Sequence, residues 1–406
     1  MKGGKNTPFP LSALFGQSLY LYGITGAATA LGFLTNLVFA RHLPPETIGQ
    51  YNLFLSVLAV MSITTLPSMG TTVIQAVAGG HEGNYARTLL FSLKSSFLGV
   101  VGICLVALFF ALRDSMIVGW LFLGTAVVFP LYALSSFYIN FLTGKKEFQH
   151  IALRTIILAL LTNASLSLAA YAGADILTLA GLFLITGIAL GAPATLRIYR
   201  LTKRMPAEEK TFELGKTLQI GDAFQTVASY ADAFIVSRFL GFAALGAYAV
   251  AKILPETLKG GAKIIAEVTF PHLMERNMDR GTVNGFFWKS VFFWLAVSAA
   301  YIALSPFVYP LLFPAYAETL FYSQLYSLSF VTFATPILKN ALQSSFAKKQ
   351  LNGINIASSF VGIGLLIWLT PAYGLTGAVT ARVITRLLIF GMHVRSWTGL
   401  RTARLS

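Results

Sequence analysis

The sequence has few charged residues, which make up 11% of its 406 positions, whereas a soluble domain carries about 25%. Hydrophobic residues account for 56% of the chain. This composition excludes an ordinary soluble protein and predicts a polytopic, all-α membrane protein, because long apolar runs cross a bilayer as helices.

Several signatures of catalysis are also missing. A single cysteine, Cys104, excludes internal disulfides and cysteine-rich metal sites. The chain has neither a GxxxxGK[ST] loop for nucleotide phosphates nor an HExxH pair, and its five histidines are scattered. We therefore predict that the protein is not an enzyme and holds no metal or other cofactor.

Acidic residues are scarce as well, with 15 Asp and Glu against 30 Lys and Arg, a formal net charge of +15. In a soluble protein this excess would suggest nucleic acid as a partner. In a membrane protein it reports topology and contact with anionic lipid headgroups, so membrane lipids are the expected partners and nucleic acid is not.

Twelve apolar segments are long enough to cross a bilayer, and we number them as spans 1 to 12. A polar stretch at 200–216 separates the first six from the last six, so the predicted domains are 1–199, a cytoplasmic linker at 200–216, and 217–406. The spans lie near 14–40, 48–78, 88–112, 116–141, 151–173, 176–198, 217–239, 243–270, 287–312, 318–344, 352–372 and 375–397.

Lys and Arg are distributed unevenly between alternate connections. With the N-terminus inside, the inner loops and tails hold 18 of these residues, and the outer loops hold 3, at Arg41, Arg113 and Arg238. Positive residues concentrate on the cytoplasmic side of membrane proteins. Both termini are therefore predicted to be cytoplasmic.

The two halves carry similar sequences at equivalent places. ARHLPPETIGQY at 40–51 parallels SRFLGFAALGAY at 237–248 at a constant offset of 197 residues, which pairs Gly49 with Gly246 and Tyr51 with Tyr248. A second pair of similar sequences is TGKKEF at 143–148 and FAKKQL at 346–351. Both copies of each motif fall on the same side of the membrane, which predicts two parallel six-span repeats.

Span 8 carries five charged residues on one face, within an arc of about 80° at 100° per residue. Ionisable groups in a membrane helix are costly and usually face an internal pathway, so this charged face predicts the wall of a polar passage. The alternative is an ion-pair ladder against neighbouring helices, since two pairs have i,i+4 spacing that would neutralise part of the charge. The five residues are Lys252, Glu256, Lys259, Lys263 and Glu267.

Span 7 has its own polar face, formed by Asp222, Gln225, Ser229 and Asp232. Asp232 lies deep, and its expected partner is a lysine of span 8 or Arg238. Asp222 and Asp232 are candidates for coupling to a proton or sodium gradient, with structural pairing as the alternative.

Six further basic residues lie within spans. Arg382 and Arg386 of span 12 are expected to pair structurally, with Asp232 or a bound phosphate as possible contacts. The other four lie near inner helix ends, where long cationic side chains reach the interface: Lys94, Arg154, Lys289 and Lys339.

The ARxLxxxxxGxYxxxxS pattern after span 1, with DAFIVSRFLGFAALGAYAVA opening the second half, resembles the polysaccharide-exporter branch of the multidrug/oligosaccharidyl-lipid/polysaccharide superfamily, the flippases for undecaprenyl-linked oligosaccharides. The resemblance covers essentially the whole chain. It implies two six-helix bundles around a V-shaped central cavity lined mainly by spans 1, 2, 7 and 8, with span 12 peripheral.

By this resemblance the predicted function is transfer of an undecaprenyl-diphosphate-linked oligosaccharide across a bacterial or archaeal cytoplasmic membrane by alternating access. It would serve surface polysaccharide synthesis, such as the O-antigen of lipopolysaccharide, beside a polymerase and glycosyltransferases. The predicted substrate-binding residues are Lys252, Glu256, Lys259, Lys263, Asp232 and Gln225. The alternatives are a cation-coupled multidrug exporter of the same superfamily and a non-transporting scaffold of a polysaccharide assembly complex.

Overall fold

All regular structure in the described part of the chain is helical, as the composition predicts. The computed structural model describes the backbone of residues 11–113, 115–275, 280–344 and 348–399. It describes the side chains of residues 23–113, 115–208, 223–260, 281–342 and 353–399. Within these ranges, nine helices are long and apolar enough to cross a membrane.

The first half contains six crossings, of which spans 2 and 4 are interrupted. Span 2 breaks because Leu66 has a left-handed backbone with φ of 58° and Pro67 follows it, where a helical conformation is disfavoured. The helices are Leu11–His42 for span 1, Pro45–Met61 and Met69–Ala78 for span 2, Gly83–Ala111 for span 3, Met116–Ser135 and Tyr138–Gly144 for span 4, Phe148–Tyr171 for span 5, and Ile176–Thr202 for span 6.

The second half contains two long helical runs, each divided by one glycine. Gly241 and Gly374 have φ of 87° and 61°, values that suit a residue without Cβ. Glu209–Glu275 thereby forms spans 7 and 8, and Lys348–Gly399 forms spans 11 and 12. Span 9 is Arg280–Leu312, and span 10 consists of the short segments Pro314–Thr319, Leu320–Ser327, Leu328–Ala334 and Thr335–Ser344. The expectation of twelve crossings is confirmed, although span 10 is segmented.

The linker is shorter than predicted because both flanking helices continue beyond the apolar sequence. Only residues 203–208 lie between the helices of spans 6 and 7. The linker is bonded to the first half: Asn84 Nδ2 donates to the Glu208 carbonyl at 3.0 Å, and the Glu208 N–H donates to Asn84 Oδ1 at 2.6 Å. The Gly83 N–H also donates to the Pro206 carbonyl at 3.1 Å. The start of the linker is therefore part of the first half.

Gly49 and Gly246, the repeated glycines, lie where spans 2 and 8 cross. A Cβ added to Gly49 would be 1.9 Å from the Phe242 carbonyl oxygen, and one added to Gly246 would be 1.9 Å from that of Pro45. Phe242 and Pro45 are themselves 197 positions apart. The contact is thus reciprocal, and only glycine permits the two backbones to approach this closely.

The same end of the bundle, which the charge distribution predicts to be the outer one, has further contacts between the halves. Arg41 Nη2 donates to the Leu311 carbonyl at 3.0 Å, and the Phe110 and Phe242 rings lie 5.8 Å apart. The main apolar cluster also includes buried side chains from both halves. The halves are therefore packed together at this end.

Candidate functional site

A polar cavity of about 1150 Å³ lies mainly within the second half. Spans 7, 8, 10, 11 and 12 supply most of its wall, span 2 adds residues between Asn52 and Ser62, and spans 4 and 6 contribute Tyr132 and Phe183. The expected lining by spans 2, 7 and 8 therefore agrees with the cavity. The expected lining by span 1 does not, because none of the described side chains of span 1 lines the cavity, whereas polar side chains of spans 10 to 12 do.

Five of the predicted site residues meet in this cavity: Gln225, Asp232, Lys252, Glu256 and Lys259. The prediction that the charged face of span 8 points inward agrees with this arrangement for the described part of that face. The side chains of Asp222, Lys263 and Glu267 lie outside the described residues.

Asp232 is the centre of a first charged cluster. Its Oδ2 accepts hydrogen bonds from Tyr248 Oη at 2.9 Å, Lys252 Nζ at 2.9 Å and Arg382 Nε at 3.2 Å. Its Oδ1 lies 3.0 Å from Arg382 Nη2 and accepts the Ala233 N–H at 3.0 Å. Both oxygens are thus engaged, which compensates the cost of burying this carboxylate.

Arg382 is held by more than its ion pair. Its Nη1 donates to the Ala228 carbonyl at 3.1 Å, and its Nη2 donates to the Ser229 carbonyl. The lysine of this cluster is also fixed, since Lys252 Nζ lies 4.2 Å from the centre of the Tyr248 ring, within the range of a cation–π contact. The first cluster thus ties spans 7, 8 and 12 together.

Glu256 is the centre of a second charged cluster, which joins spans 8, 10 and 12. Its Oε1 accepts hydrogen bonds from Arg386 Nη2 and Tyr326 Oη, and its Oε2 accepts one from Lys259 Nζ at 3.1 Å. Arg386 Nη1 donates to Ser329 Oγ at 3.2 Å, and its guanidinium carbon lies 4.6 Å from the centre of the Tyr326 ring.

These contacts decide three predictions about partners. Lys252 bonds to Asp232 rather than to Glu256, since spans 7 and 12 bring closer partners than the neighbouring helical turn does. Of the two partners expected for Asp232, the structure shows the lysine of span 8 and not Arg238, which is exposed with its guanidinium 5.8 Å from the Phe239 ring. Arg382 and Arg386 do form structural pairs, but they also line the cavity, so span 12 is not peripheral to it.

The basic residues assigned to helix ends behave differently from one another. Lys339 lines the cavity, whereas Lys94 and Lys289 are exposed. The guanidinium of Arg154 lies 5.4 Å from the Tyr138 ring.

Tyr326 was not predicted at all, because an isolated tyrosine in an aromatic-rich segment gives no sequence signal for a role in an ion cluster.

The charge of the cavity is positive. Among the described side chains that line it, five are cationic and two are carboxylates, an excess of three positive charges with His393 taken as neutral. The cations are Lys252, Lys259, Lys339, Arg382 and Arg386. Amides and hydroxyls complete the polar wall, among them Asn340, Asn355 and Ser359. Such a wall can bind an anion and hydrogen-bond to a hydroxylated molecule.

Residues 17–277 match the family described as polysaccharide biosynthesis protein. No curated protein gives a significant match.

Solved structures share the fold across nearly the whole chain. An inward-closed structure of the lipid II flippase MurJ is 15% identical, with a TM-score of 0.74 over 95% of this chain and 87% of that one. An inward-facing multidrug resistance MATE family transporter of the MOP superfamily is 12% identical, with a TM-score of 0.69 over 95% and 99% of the two chains. An outward-facing structure of such a transporter is also 12% identical, with a TM-score of 0.58 over 96% and 97%.

Proposed function

Because the chain belongs to the polysaccharide biosynthesis protein family, a family of membrane flippases, we propose that it moves an undecaprenyl-diphosphate-linked oligosaccharide from the inner to the outer leaflet of the cytoplasmic membrane. The glycan would go to surface polysaccharide such as an O-antigen. Polysaccharide polymerase and glycosyltransferases would act beside the flippase, and both termini would face the cytoplasm.

The excess of positive charge in the cavity is the observation that carries this proposal. A diphosphate crossing a bilayer without counter-charges would face a prohibitive desolvation cost. Lys259 and Arg386, both in the second cluster, supply an ammonium and a guanidinium, the two groups that bind phosphate oxygens in proteins. The amide and hydroxyl wall suits the sugar hydroxyls.

Alternating access is supported by where the halves touch. Their outer contact is centred on the crossing of spans 2 and 8 at Gly49 and Gly246, and a rocking motion about this crossing would open the outer side without unfolding either bundle.

Ion coupling through Asp232 stays a prediction. A proton or sodium ion that used this carboxylate would have to displace Lys252 or Arg382, since both oxygens already accept hydrogen bonds. The gradient of glycan, or its removal by polymerisation, is a source of energy that leaves the first cluster intact.

The two alternative functions make different demands on the cavity. A multidrug exporter for organic cations needs a negative wall, which the excess of lysine and arginine disfavours. A scaffold that does not transport needs no exposed cation in the cavity, whereas the Lys259 side chain is 50% exposed there. The flippase is therefore the proposal that uses the observed charges.

The test uses cells depleted of this protein and supplied with variants at matched membrane levels. Lys259→Ala is expected to weaken binding of the diphosphate about tenfold, equivalent to roughly 1.4 kcal/mol. Surface polysaccharide should therefore fall, and lipid-linked glycan should remain on the cytoplasmic side. Lys94→Ala is the matched control, because Lys94 is exposed and does not line the cavity. Full export by Lys259→Ala would contradict the proposal.

A further inference from the structure

The two charged clusters are built from the same kinds of side chain. In each, one carboxylate accepts hydrogen bonds from one tyrosine hydroxyl, one lysine and one arginine of span 12. Asp232 has Tyr248, Lys252 and Arg382 as these partners, and Glu256 has Tyr326, Lys259 and Arg386. Because the two clusters contain the same groups, differences in their exposure and anchoring indicate different roles.

Exposure is the first difference. The Asp232 side chain is 6% exposed and the Glu256 side chain is 38% exposed. Their lysines differ in the same direction, with Lys252 at 18% and Lys259 at 50%. Glu256 and Lys259 can therefore be reached from the cavity, whereas Asp232 is shielded by its partners.

Anchoring is the second difference. Asp232 accepts a backbone N–H, and Arg382 donates to two backbone carbonyls. In the second cluster the hydrogen bonds between described residues run only between side chains, with Ser329 as the further acceptor for Arg386. Side-chain contacts can be exchanged by rotation about single bonds, without movement of a helix.

We propose that Glu256 is an exchangeable internal counter-ion that occupies the anion site while the cavity is empty and is displaced by the diphosphate of the substrate. This inference rests on the proposed function and adds to it a residue that sets charge selectivity. Arg386 and Lys259 would release the carboxylate and bind phosphate oxygens, while Glu256 rotates into the water of the cavity. On release of the substrate the carboxylate returns to its cations.

The exchange explains how the site can bind a diphosphate without being blocked by common small anions. An anion with one charge only replaces the single charge of Glu256, so it gains little from binding. A diphosphate brings at least two charges and more acceptor oxygens, so its interaction with Arg386 and Lys259 exceeds that of the displaced carboxylate. The return of Glu256 also competes with the bound diphosphate and thus assists its release.

The test is calorimetric titration of the purified full-length protein in lipid nanodiscs, with inorganic pyrophosphate and acetate as probes and without divalent cations. Glu256→Gln removes the competing charge, so it is expected to bind pyrophosphate about tenfold more tightly than the wild type and to bind acetate measurably. Glu256→Asp, with a shorter side chain and the same charge, is expected to show a smaller gain. Glu318→Gln is the control, because Glu318 is an exposed acid that does not line the cavity.

Two results would overturn this inference. In the first, Glu256→Gln keeps the thermal transition of the wild type and binds pyrophosphate no better than the wild type does. In the second, Glu256→Gln fails to fold and Glu256→Asp binds pyrophosphate more weakly than the wild type. Lys259→Ala separates the two proposals: if it loses pyrophosphate binding while both Glu256 variants match the wild type, the anion site stands and the counter-ion is wrong. If neither the wild type nor any variant binds pyrophosphate, both the proposed diphosphate flippase and the counter-ion role of Glu256 are wrong.

Discussion

Asp232 and Arg382, 150 residues apart in the chain, form a two-point ion pair in which Nε donates to Oδ2 at 3.2 Å and Nη2 lies 3.0 Å from Oδ1. The pair links span 7 to span 12, the first and last crossings of the second half. Lys252 adds span 8 to the same carboxylate. One acidic side chain thus holds three helices in register.

Replacement of Asp232 by Asn should destabilise the protein strongly, because Lys252 and Arg382 would lose their counter-charge in a buried place. Breaking a buried pair in this way costs about 3–5 kcal/mol. We expect a lower thermal transition in detergent and less protein in the membrane. Arg382→Gln combined with Asp232→Asn should lose less than the sum of the two single changes, since Arg382 is then not left as a buried charge, although Lys252 still lacks its counter-charge. Additive losses would show that the pair is not coupled.

Alanine at Gly49 or Gly246 should push apart the halves at their crossing, because the new Cβ would lie 1.9 Å from a backbone carbonyl. Overpacking of this kind costs about 1–3 kcal/mol. The thermal transition should fall, and cysteines introduced near the predicted outer end should react faster with a water-soluble thiol reagent. Gly124→Ala is the control, since nothing lies within 4 Å of a Cβ there. Equal behaviour of all three variants would show that the crossing yields without cost.

The linker should loosen when Asn84 is replaced by alanine. Asn84 is 2% exposed and makes two hydrogen bonds to the backbone of the half-buried Glu208, so its replacement removes both, at about 0.5–1.5 kcal/mol each. Trypsin should then cleave faster after Lys203 and Arg204. The exposed neighbour His81→Ala serves as the control. An unchanged cleavage rate in Asn84→Ala would mean that other contacts hold the linker.

The start of span 6 should respond to acid through Asp175, whose side chain accepts the Thr178 N–H at 2.9 Å as a helix cap. The hydrogen bonds from Thr178 lower the pKa of this exposed carboxyl below its ordinary value. Its contribution is therefore present above the unfolded pKa and is lost as the pH falls through the lower, folded pKa. Asp175→Ala should cost up to about 1 kcal/mol near neutral pH and less in strong acid, where the protonated carboxyl is a weaker cap; thermal unfolding at several pH values measures this. A cost that is the same at neutral pH and in strong acid would contradict the contribution of the charge.

The sequence was sufficient for the spans and for the inward face of span 8, because both depend on local periodicity and on the cost of charge in a membrane. It was misleading for the partners of Lys252, since i,i+4 spacing describes neighbours on one helix and not those that packing brings from spans 7 and 12. The contribution of Arg386 and Tyr326 to the cluster around Glu256 depends on how the segmented span 10 packs against span 12. No short-range sequence pattern predicts that packing. Contacts between residues far apart in the chain therefore could not be predicted from this single sequence.

The reciprocal packing of Gly49 and Gly246 has a consequence for the history of the chain. In a two-fold dimer of a six-span protein, each glycine would meet the same carbonyl of the other copy, so one substitution would act at both places. Fusion of the two copies removes that constraint. Positions Thr35, Leu55 and Ala59, which correspond at an offset of 197 to Asp232, Lys252 and Glu256, are all uncharged. The crossing thus keeps the two-fold relation of the repeats, whereas all the charged side chains that line the cavity among the described residues come from the second half.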